Sequence, residues 1–259
     1  MSSRLFSYAT LSVVLLFLLG PFVIIVAAAL SAGETLAFPP QGLSLKWVIK
    51  VFEVESFRAS FALSMFLAIF GTLAALVLGV PVAYAASRYK LPFGETIRTI
   101  VSAPIIVPGI IVGLALLRYL VLPLDVSVGL ALFIAHTALI LPYAVRVVSA
   151  SLDNLRSDIE EAAVLLGSSR IATFFRIVLP NIQNGILAAF ILGFVTSFNQ
   201  VPVSLFLSGP GVRTLPIDMI WYMEITYDPS VAALAALLAF LSISIVFLAE
   251  RFLGFSRYV

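Results

Sequence analysis

A run of predominantly apolar residues from Leu11 to Leu30 is the feature that most constrains how this chain can fold. Twenty residues in a helix are long enough to cross a bilayer core of roughly 30 Å. Ala27 and Ala29 imitate a signal-peptidase site, but the run is longer than the apolar region of a typical signal peptide. We therefore expect a retained first membrane span.

Further apolar segments follow, and the composition of the chain excludes a soluble fold. The chain has 259 residues, of which 62% are hydrophobic and 11% charged, and its mean hydropathy is +1.15. A soluble domain of this length could not bury so much apolar surface. We predict a single all-α integral membrane domain with six transmembrane helices. Their approximate bounds are 11–30, 60–86, 100–122, 128–149, 185–207 and 231–249.

Prolines and glycines predict the character of individual spans. Gly71 and Gly79 in the second span allow neighbouring helices to approach closely. Pro104 and Pro108 predict a kink in the first half of the third span. Residues 31–58 combine acidic, basic and aromatic side chains, which predicts a surface loop with a short interfacial helix.

Residues 157–180 form a polar island between the fourth and fifth spans. Ser157 followed by Glu160 has the spacing of a capping box, so a helix should begin there. Gly167 can end this helix in the left-handed conformation, and Ser168 or Ser169 can cap a second one. Pro180 should end the second helix.

This pair of short helices is typical of a docking element. We expect exposed charges at Glu161, Arg170 and Arg176. The residues expected to pack inward are Ala163, Leu166, Phe174 and Ile177.

The distribution of basic residues predicts the orientation. Ten of the fifteen fall on one side of the proposed topology: Arg4, Arg88, Lys90, Arg98, Arg146, Arg156, Arg170, Arg176, Arg251 and Arg257. Basic residues collect on the cytoplasmic side of membrane proteins. Both termini and the 157–180 helices are therefore expected in the cytoplasm.

Several kinds of chemistry are excluded by what the sequence lacks. It has no Gly-x-x-x-x-Gly-Lys-Ser/Thr loop, so the chain cannot be a P-loop nucleotide hydrolase by itself. It has no cysteine and a single histidine, His136, which cannot form a metal cluster and is expected to be a hydrogen-bonded packing residue. We expect a non-enzymatic protein with no metal site and no nucleic-acid partner.

The spacing within the polar island resembles the EAA loop of the inner-membrane permease subunits of binding-protein-dependent ABC importers. The matching residues are Glu161-Ala162-Ala163, Gly167 and Ile177-Val178-Leu179-Pro180. Further segments are similar to the spermidine/putrescine-type subgroup: 104–117, 136–137, 141–143, 205–210 and 214–216.

The resemblance implies a type I ABC importer permease fold in the bacterial inner membrane. The two short helices would be coupling helices that seat in a groove of a cytoplasmic ATPase. It also implies a second permease subunit, expected to be a different chain, two ATPase subunits that bind the ATP and Mg²⁺, and an extracytoplasmic substrate-binding protein. The chain itself would hold no cofactor. The expected ATPase-coupling residues are Glu160, Glu161, Ala162, Ala163, Leu166, Gly167, Ser168, Arg170, Phe174 and Pro180.

Polar residues clustered within the fifth span are candidates for the translocation path: Thr196, Ser197, Asn199 and Gln200. Hydrogen bonding between helices is an equally good interpretation of these residues. Polyamine permeases often carry an acidic residue where this chain has Asn199-Gln200. A polyamine is therefore one hypothesis for the cargo, and another small organic solute, such as an amino-acid or opine-like compound, is the alternative.

Two other classes of protein compete with the permease hypothesis. An ion-coupled secondary transporter would need a cluster of ionisable residues at mid-membrane or clear half-helix symmetry, and the spans provide neither clearly. A membrane enzyme would need a nucleophile and base pair, for which no motif is found.

Overall fold

The computed structural model describes residues 2–89, 100–101, 103–104 and 106–253. Lys90, Arg98 and Arg257, which contribute to the predicted orientation, lie outside the described residues, as does part of the predicted third span. Most of the described residues are helical, and the others include two isolated β-bridges and no strand. The predicted all-α class is confirmed.

Ten helices lie wholly within the described residues. They are α1 (Ser2–Ala29), α2 (Lys46–Glu53), α3 (Glu55–Arg88), α4 (Gly109–Leu124), α5 (Val128–Asp153), α6 (Ser157–Leu165), α7 (Arg170–Asn181), α8 (Gln183–Phe198), α9 (Leu215–Ile225) and α10 (Ser230–Leu253). Short π-helical turns lie within α3, α4 and α7 at Leu67–Gly71, Leu117–Val121 and Phe174–Val178.

The apolar helices fall in the six predicted regions. Among the described residues, α1, α3, α5 and α10 are long and apolar enough to cross a membrane. The pair α7 and α8 adds a fifth candidate, bent by 67° at Ile182, and α4 is a shorter apolar helix. These observations are consistent with six spans, although α4 and the bent pair depart from straight spans.

The predicted fifth span, 185–207, was too long. Helix α8 ends at Phe198, and residues 199–214 continue as turns. Pro202 has no N–H to donate and disfavours a helical conformation at the preceding residue, which favours the turns that follow the helix. Consequently Asn199 and Gln200 lie at and beyond the end of the helix rather than within it.

The third span is interrupted, as its prolines predict. Pro108 has φ −55° and ψ 127°, which is not helical, and α4 begins at the next residue. Gly109 and Gly113 on α4 then lie very close to Val203 of the 199–214 segment. An added Cβ at Gly113 would be 2.4 Å from the carbonyl oxygen of Val203.

The chain divides into two compact units, and the larger contains residues 60–217 and 246–259. Its apolar core joins α3, α5, α7 and α8 through buried side chains: Leu76, Val80, Ala83, Ala144, Val148, Leu152, Val178, Ile182 and Ala189. Gly79 allows the close approach that the sequence predicts, because a Cβ there would be 3.1 Å from the Cβ of Ala144. A second cluster of buried side chains packs Leu67, Ala131, Leu132 and Ala135 against Val203 and Leu207.

The other unit contains residues 1–59 and 218–245, and it includes the predicted interfacial helix as α2. Trp47 of α2 is buried, and its indole N–H donates to the carbonyl oxygen of Gly33 at 3.0 Å. Lys50 Nζ donates to Asp228 Oδ2 at 2.6 Å, and this hydrogen bond raises the pKa of Lys50. Burial favours a higher pKa for Asp228, but the bonds from Lys50 and Ser230 outweigh it and lower that pKa. The pair therefore ties α2 to the start of α10.

Candidate functional site

The polar island forms a helical hairpin, residues 157–181, whose first turn differs from the predicted capping box. Arg156, not Ser157, is the N-cap of α6, and no side chain caps this end. Glu160 cannot complete a capping box because its carboxylate is bonded elsewhere, to Arg88 and Tyr84. Asp158 and Glu160 in the first turn still suit the positive end of the helix dipole.

The elbow of the hairpin matches the prediction. Gly167 has φ +93°, a left-handed conformation that residues with a Cβ rarely adopt. The amide of Ser168 donates to the carbonyl oxygen of Ala163, and the amide of Gly167 donates to that of Val164, each at 3.0 Å. This is the Schellman arrangement that ends a helix at a glycine.

The second helix of the hairpin begins at a serine cap. Ser169 Oγ accepts from the amide of Ala172 at 3.2 Å, and Thr173 Oγ1 donates to Ser168 Oγ at 3.0 Å. Of the two predicted caps, Ser169 is therefore the one used.

Pro180 does not end the second helix. The helical conformation continues to Asn181, and the chain bends at Ile182. A π-helical turn directly precedes Leu179 and Pro180, and its wider geometry accommodates a residue with no N–H. The side-chain amide of Asn181 donates a hydrogen bond to the carbonyl oxygen of Ile177 at 2.7 Å.

Two adjacent glutamates on α6 have opposite environments. Glu161 is exposed, as expected, whereas Glu160 is only 8% exposed. Glu160 Oε1 accepts from Arg88 Nε at 2.6 Å, and Glu160 Oε2 accepts from the Tyr84 hydroxyl at 2.9 Å. Glu160 therefore holds the hairpin against α3.

The tip of the hairpin is apolar and exposed, which corrects the prediction that Leu166 packs inward. Leu165 and Leu166 are 88% and 89% exposed, and Ile171 is 73% exposed. These side chains flank the left-handed turn at Gly167, and most of their surface is left uncovered. Ala162 is also exposed, and Ala163 is half-buried.

The remaining predicted hairpin residues divide between packing and exposure. Phe174 packs edge-on against Tyr84, with ring centroids 4.9 Å apart. Arg170 is exposed and lies over the ring of Tyr89 at 5.8 Å. Pro180 is exposed. An open cavity of about 450 Å³ lies between α6, α7 and the end of α3, with Glu161 and Arg170 among its lining residues.

The polar residues of the predicted path do not form one group. Ser197 is buried and hydrogen-bonded to His136 Nδ1 at 2.7 Å, which is the interhelical bonding that the alternative interpretation describes. Asn199 is exposed and donates to the carbonyl oxygen of Val195, while Thr196 and Gln200 are half-buried. His136 Nε2 is also bonded to Ser204 at 3.1 Å, so His136 is a hydrogen-bonded packing residue as predicted.

Sequence reasoning missed the partners of Glu160. In the sequence, Arg88 stands out only as a charge that indicates orientation, and no motif singles out Tyr84. An acidic residue in a short polar helix next to a span ending in arginine was the available signal, but it does not specify the pairing.

Among the described residues, no group of three or more His, Cys, Asp or Glu side chains could hold a metal ion.

Solved structures with the same architecture identify the fold. One neighbour is a bacterial alginate ABC transporter in complex with an alginate-bound periplasmic protein, at a TM-score of 0.71 and 16% identity over 96% of this chain and 93% of that one. Another is the methionine ABC transporter MetNI, at a TM-score of 0.61 and 19% identity over 75% of this chain and 93% of that one. At this level of identity they show the fold, which is that of ABC transporter membrane subunits.

The sequence comparison assigns the family. Residues 75–254 match the model for the inner membrane component of binding-protein-dependent transport systems, and the chain belongs to this family. It is similar to the putrescine transport permease PotI of Escherichia coli K12, with 29% identity over 86% of this chain and 81% of that protein. The spermidine/putrescine permease PotC of Haemophilus influenzae is 27% identical over 81% of this chain and 82% of that protein. The chain is thus a non-catalytic permease subunit of an ABC importer, and ATP hydrolysis belongs to a separate subunit.

Proposed function

We propose that this permease subunit imports a small organic polycation of the polyamine class, driven by a cytoplasmic ATPase that contacts the hairpin 157–181. The observation that carries the cargo is the similarity to PotI and PotC over more than four fifths of this chain. A second permease subunit, a pair of ATPase subunits and an extracytoplasmic binding protein complete the proposed assembly. Both termini lie in the cytoplasm, on the same side as the hairpin.

The exposed surface of the hairpin supports the ATPase contact. Leu165, Leu166 and Ile171 are largely exposed, and Glu161 on the same hairpin offers an exposed carboxylate. An apolar tip next to a charge suits a hydrophobic groove with a cation at its rim. The site residues proposed for ATPase contact are therefore Glu161, Leu165, Leu166 and Ile171, on the elbow formed by Gly167.

Replacing Gly167 by alanine is expected to reduce uptake more than replacing it by asparagine. A Cβ at Gly167 meets nothing within 4 Å, so the cost of alanine is the left-handed backbone itself, about 1–2 kcal/mol. Asparagine tolerates this conformation better and is the matched control. Uptake and ATP hydrolysis would be measured together in proteoliposomes that contain the assembled transporter. Equal uptake by the wild type and the alanine variant would contradict a role for the elbow.

The cargo is tested with the cognate binding protein and the assembled transporter. We expect putrescine or spermidine to bind that protein and to be taken up in an ATP-dependent manner. Neutral amino acids should not compete. A binding protein without acidic residues in its pocket, or one that ignores both polyamines, would reject the polyamine hypothesis.

A different small organic solute is the second candidate. The position at which polyamine permeases often carry an acid holds Asn199 and Gln200 here, and Asn199 bonds its own helix. Uptake of an amino-acid or opine-like compound, with polyamines inactive, would favour this alternative.

A further inference from the structure

Arg88, Glu160 and Tyr84, here called the Arg88 cluster, connect the hairpin to two membrane helices. Besides its bond to Glu160, Arg88 donates from Nη2 to the carbonyl oxygens of Leu152 at 3.0 Å and Leu155 at 2.8 Å. Leu152 belongs to the last turn of α5, and Leu155 follows it. One guanidinium therefore joins the end of α3, the end of α5 and the first turn of α6.

The hydrogen bonds of the Arg88 cluster require an arginine at position 88. The last carbonyls of a helix have no donors within it, and Arg88 supplies donors at the end of α5. The guanidinium is planar and always charged, so its Nε and Nη2 groups point in fixed directions that a lysine cannot reproduce. The side chains of Arg88 and Glu160 are only 13% and 11% exposed, so the pair is largely withdrawn from water.

The position of the cluster determines what it can do mechanically. Only residues 154–156 separate α5 from α6, and α6 has no side-chain cap at its N-terminus. Without further contacts, a force on the hairpin tip could be lost by bending at this short connection. The contacts of Glu160 lie one turn into α6 and oppose such bending.

We propose that the Arg88 cluster is a rigid joint that makes α6 move as one body with the ends of α3 and α5. This inference rests on the proposed function, in which a cytoplasmic ATPase displaces the hairpin. It assigns different tasks to the adjacent glutamates: Glu161 meets the ATPase, and Glu160 transmits the displacement to the membrane helices. Glu160, Arg88 and Tyr84 are thus positioning residues.

The test compares Glu160→Gln with Glu161→Gln and Asp158→Asn in the assembled transporter, reconstituted in proteoliposomes with its ATPase and binding protein. We expect Glu160→Gln to keep the ATPase bound during purification and to lower the solute transported per ATP by about tenfold. Glu161→Gln should instead weaken co-purification of the ATPase. Asp158→Asn is the matched control, because Asp158 pairs with Arg156 on the exposed face of the same helix and should have no effect on coupling.

A local probe separates a loosened joint from a general defect. The chain has no cysteine, so a single Val164→Cys introduces one labelling site on α6, because Val164 is 39% exposed and lies outside the proposed ATPase contact. A spin label there should become more mobile in Glu160→Gln and stay unchanged in Asp158→Asn. Should Glu160→Gln insert poorly, Tyr84→Phe removes only one hydrogen bond and should lower transport per ATP by about twofold to threefold.

Three outcomes would overturn the joint. The first is that Tyr84→Phe, together with either Glu160→Gln or Arg88→Lys, transports as much solute per ATP as the wild type. The second is that the mobility of the spin label is unchanged in these variants. The third is that Glu160→Gln loses ATPase binding to the same extent as Glu161→Gln. Failure of the proposed function looks different: the ATPase would not bind the wild-type permease, or the wild type would not couple hydrolysis to uptake.

Discussion

Gly113→Ala is expected to destabilise the membrane domain by about 3 kcal/mol. The new Cβ would be 2.4 Å from the carbonyl oxygen of Val203 and 3.3 Å from its Cα. These are backbone atoms of a segment that is anchored by the buried Val203, Ser204 and Leu207, so no flexible side chain can move aside. We expect that half of the monodisperse protein is lost at a lower temperature when the variant is heated in detergent. Less folded protein should also be found in the membrane.

Gly129→Ala is the matched control for Gly113→Ala. Gly129 is also a helical glycine, in the first turn of α5, and an added Cβ there meets nothing within 4 Å. Alanine favours a helix over glycine by roughly 0.5–1 kcal/mol, so this variant should be as stable as the wild type or slightly more so. Equal stability of the two variants would show that the 199–214 segment is not packed against α4 as described.

His136→Leu is expected to have the second largest effect, about 2 kcal/mol of lost stability. His136 is 1% exposed, and its two ring nitrogens are bonded to Ser197 on α8 and Ser204 beyond it. A neutral imidazole has one donor and one acceptor nitrogen, and a serine hydroxyl can serve as the partner of either. Leucine would fill a similar volume and leave both hydroxyls buried without their partner.

Adding Ser197→Ala and Ser204→Ala to His136→Leu separates hydrogen bonding from packing. Removing both partners of a buried hydrogen bond is much less costly than removing one. The triple variant should therefore recover part of the stability that His136→Leu alone loses, as measured by the same thermal assay. A triple variant that is less stable by the sum of the single effects would contradict the hydrogen-bonding role and leave only packing.

Local chemistry explains why some elements of the hairpin could be predicted. Gly167 ends α6 with φ +93° because a left-handed residue is what a Schellman turn requires, and glycine adopts it at least cost. Ser169 caps α7 through a bond to a backbone amide three residues away. Both features depend on residues within a few positions, so the sequence is sufficient to anticipate them.

Other predictions failed where a local pattern competed with a distant partner. The spacing of Ser157 and Glu160 fits a capping box, but Glu160 bonds Arg88, which is 72 residues earlier in the chain. Leu166 has the hydrophobicity of a core residue and is nevertheless 89% exposed. The helix passes through Pro180 because a π-helical turn accommodates it. The partner of Glu160 and the exposure of Leu166 are not encoded within a short window.

The sequence by itself determined that this protein is embedded in a membrane, that it is helical, which family it belongs to, and where the elbow of its hairpin lies. Each of these depends on composition, on the length of apolar runs or on spacing within about twenty residues. Only the tertiary structure decided which glutamate is buried, that His136 bonds Ser197 and Ser204, and that Gly113 meets the backbone of Val203. His136 is 61 positions from Ser197 and 68 from Ser204, and Glu160 is 72 positions from Arg88. These pairings arise from packing of the helices against one another. A pattern along the chain specifies which face of a helix is apolar, whereas the partner that meets that face depends on how all the helices pack.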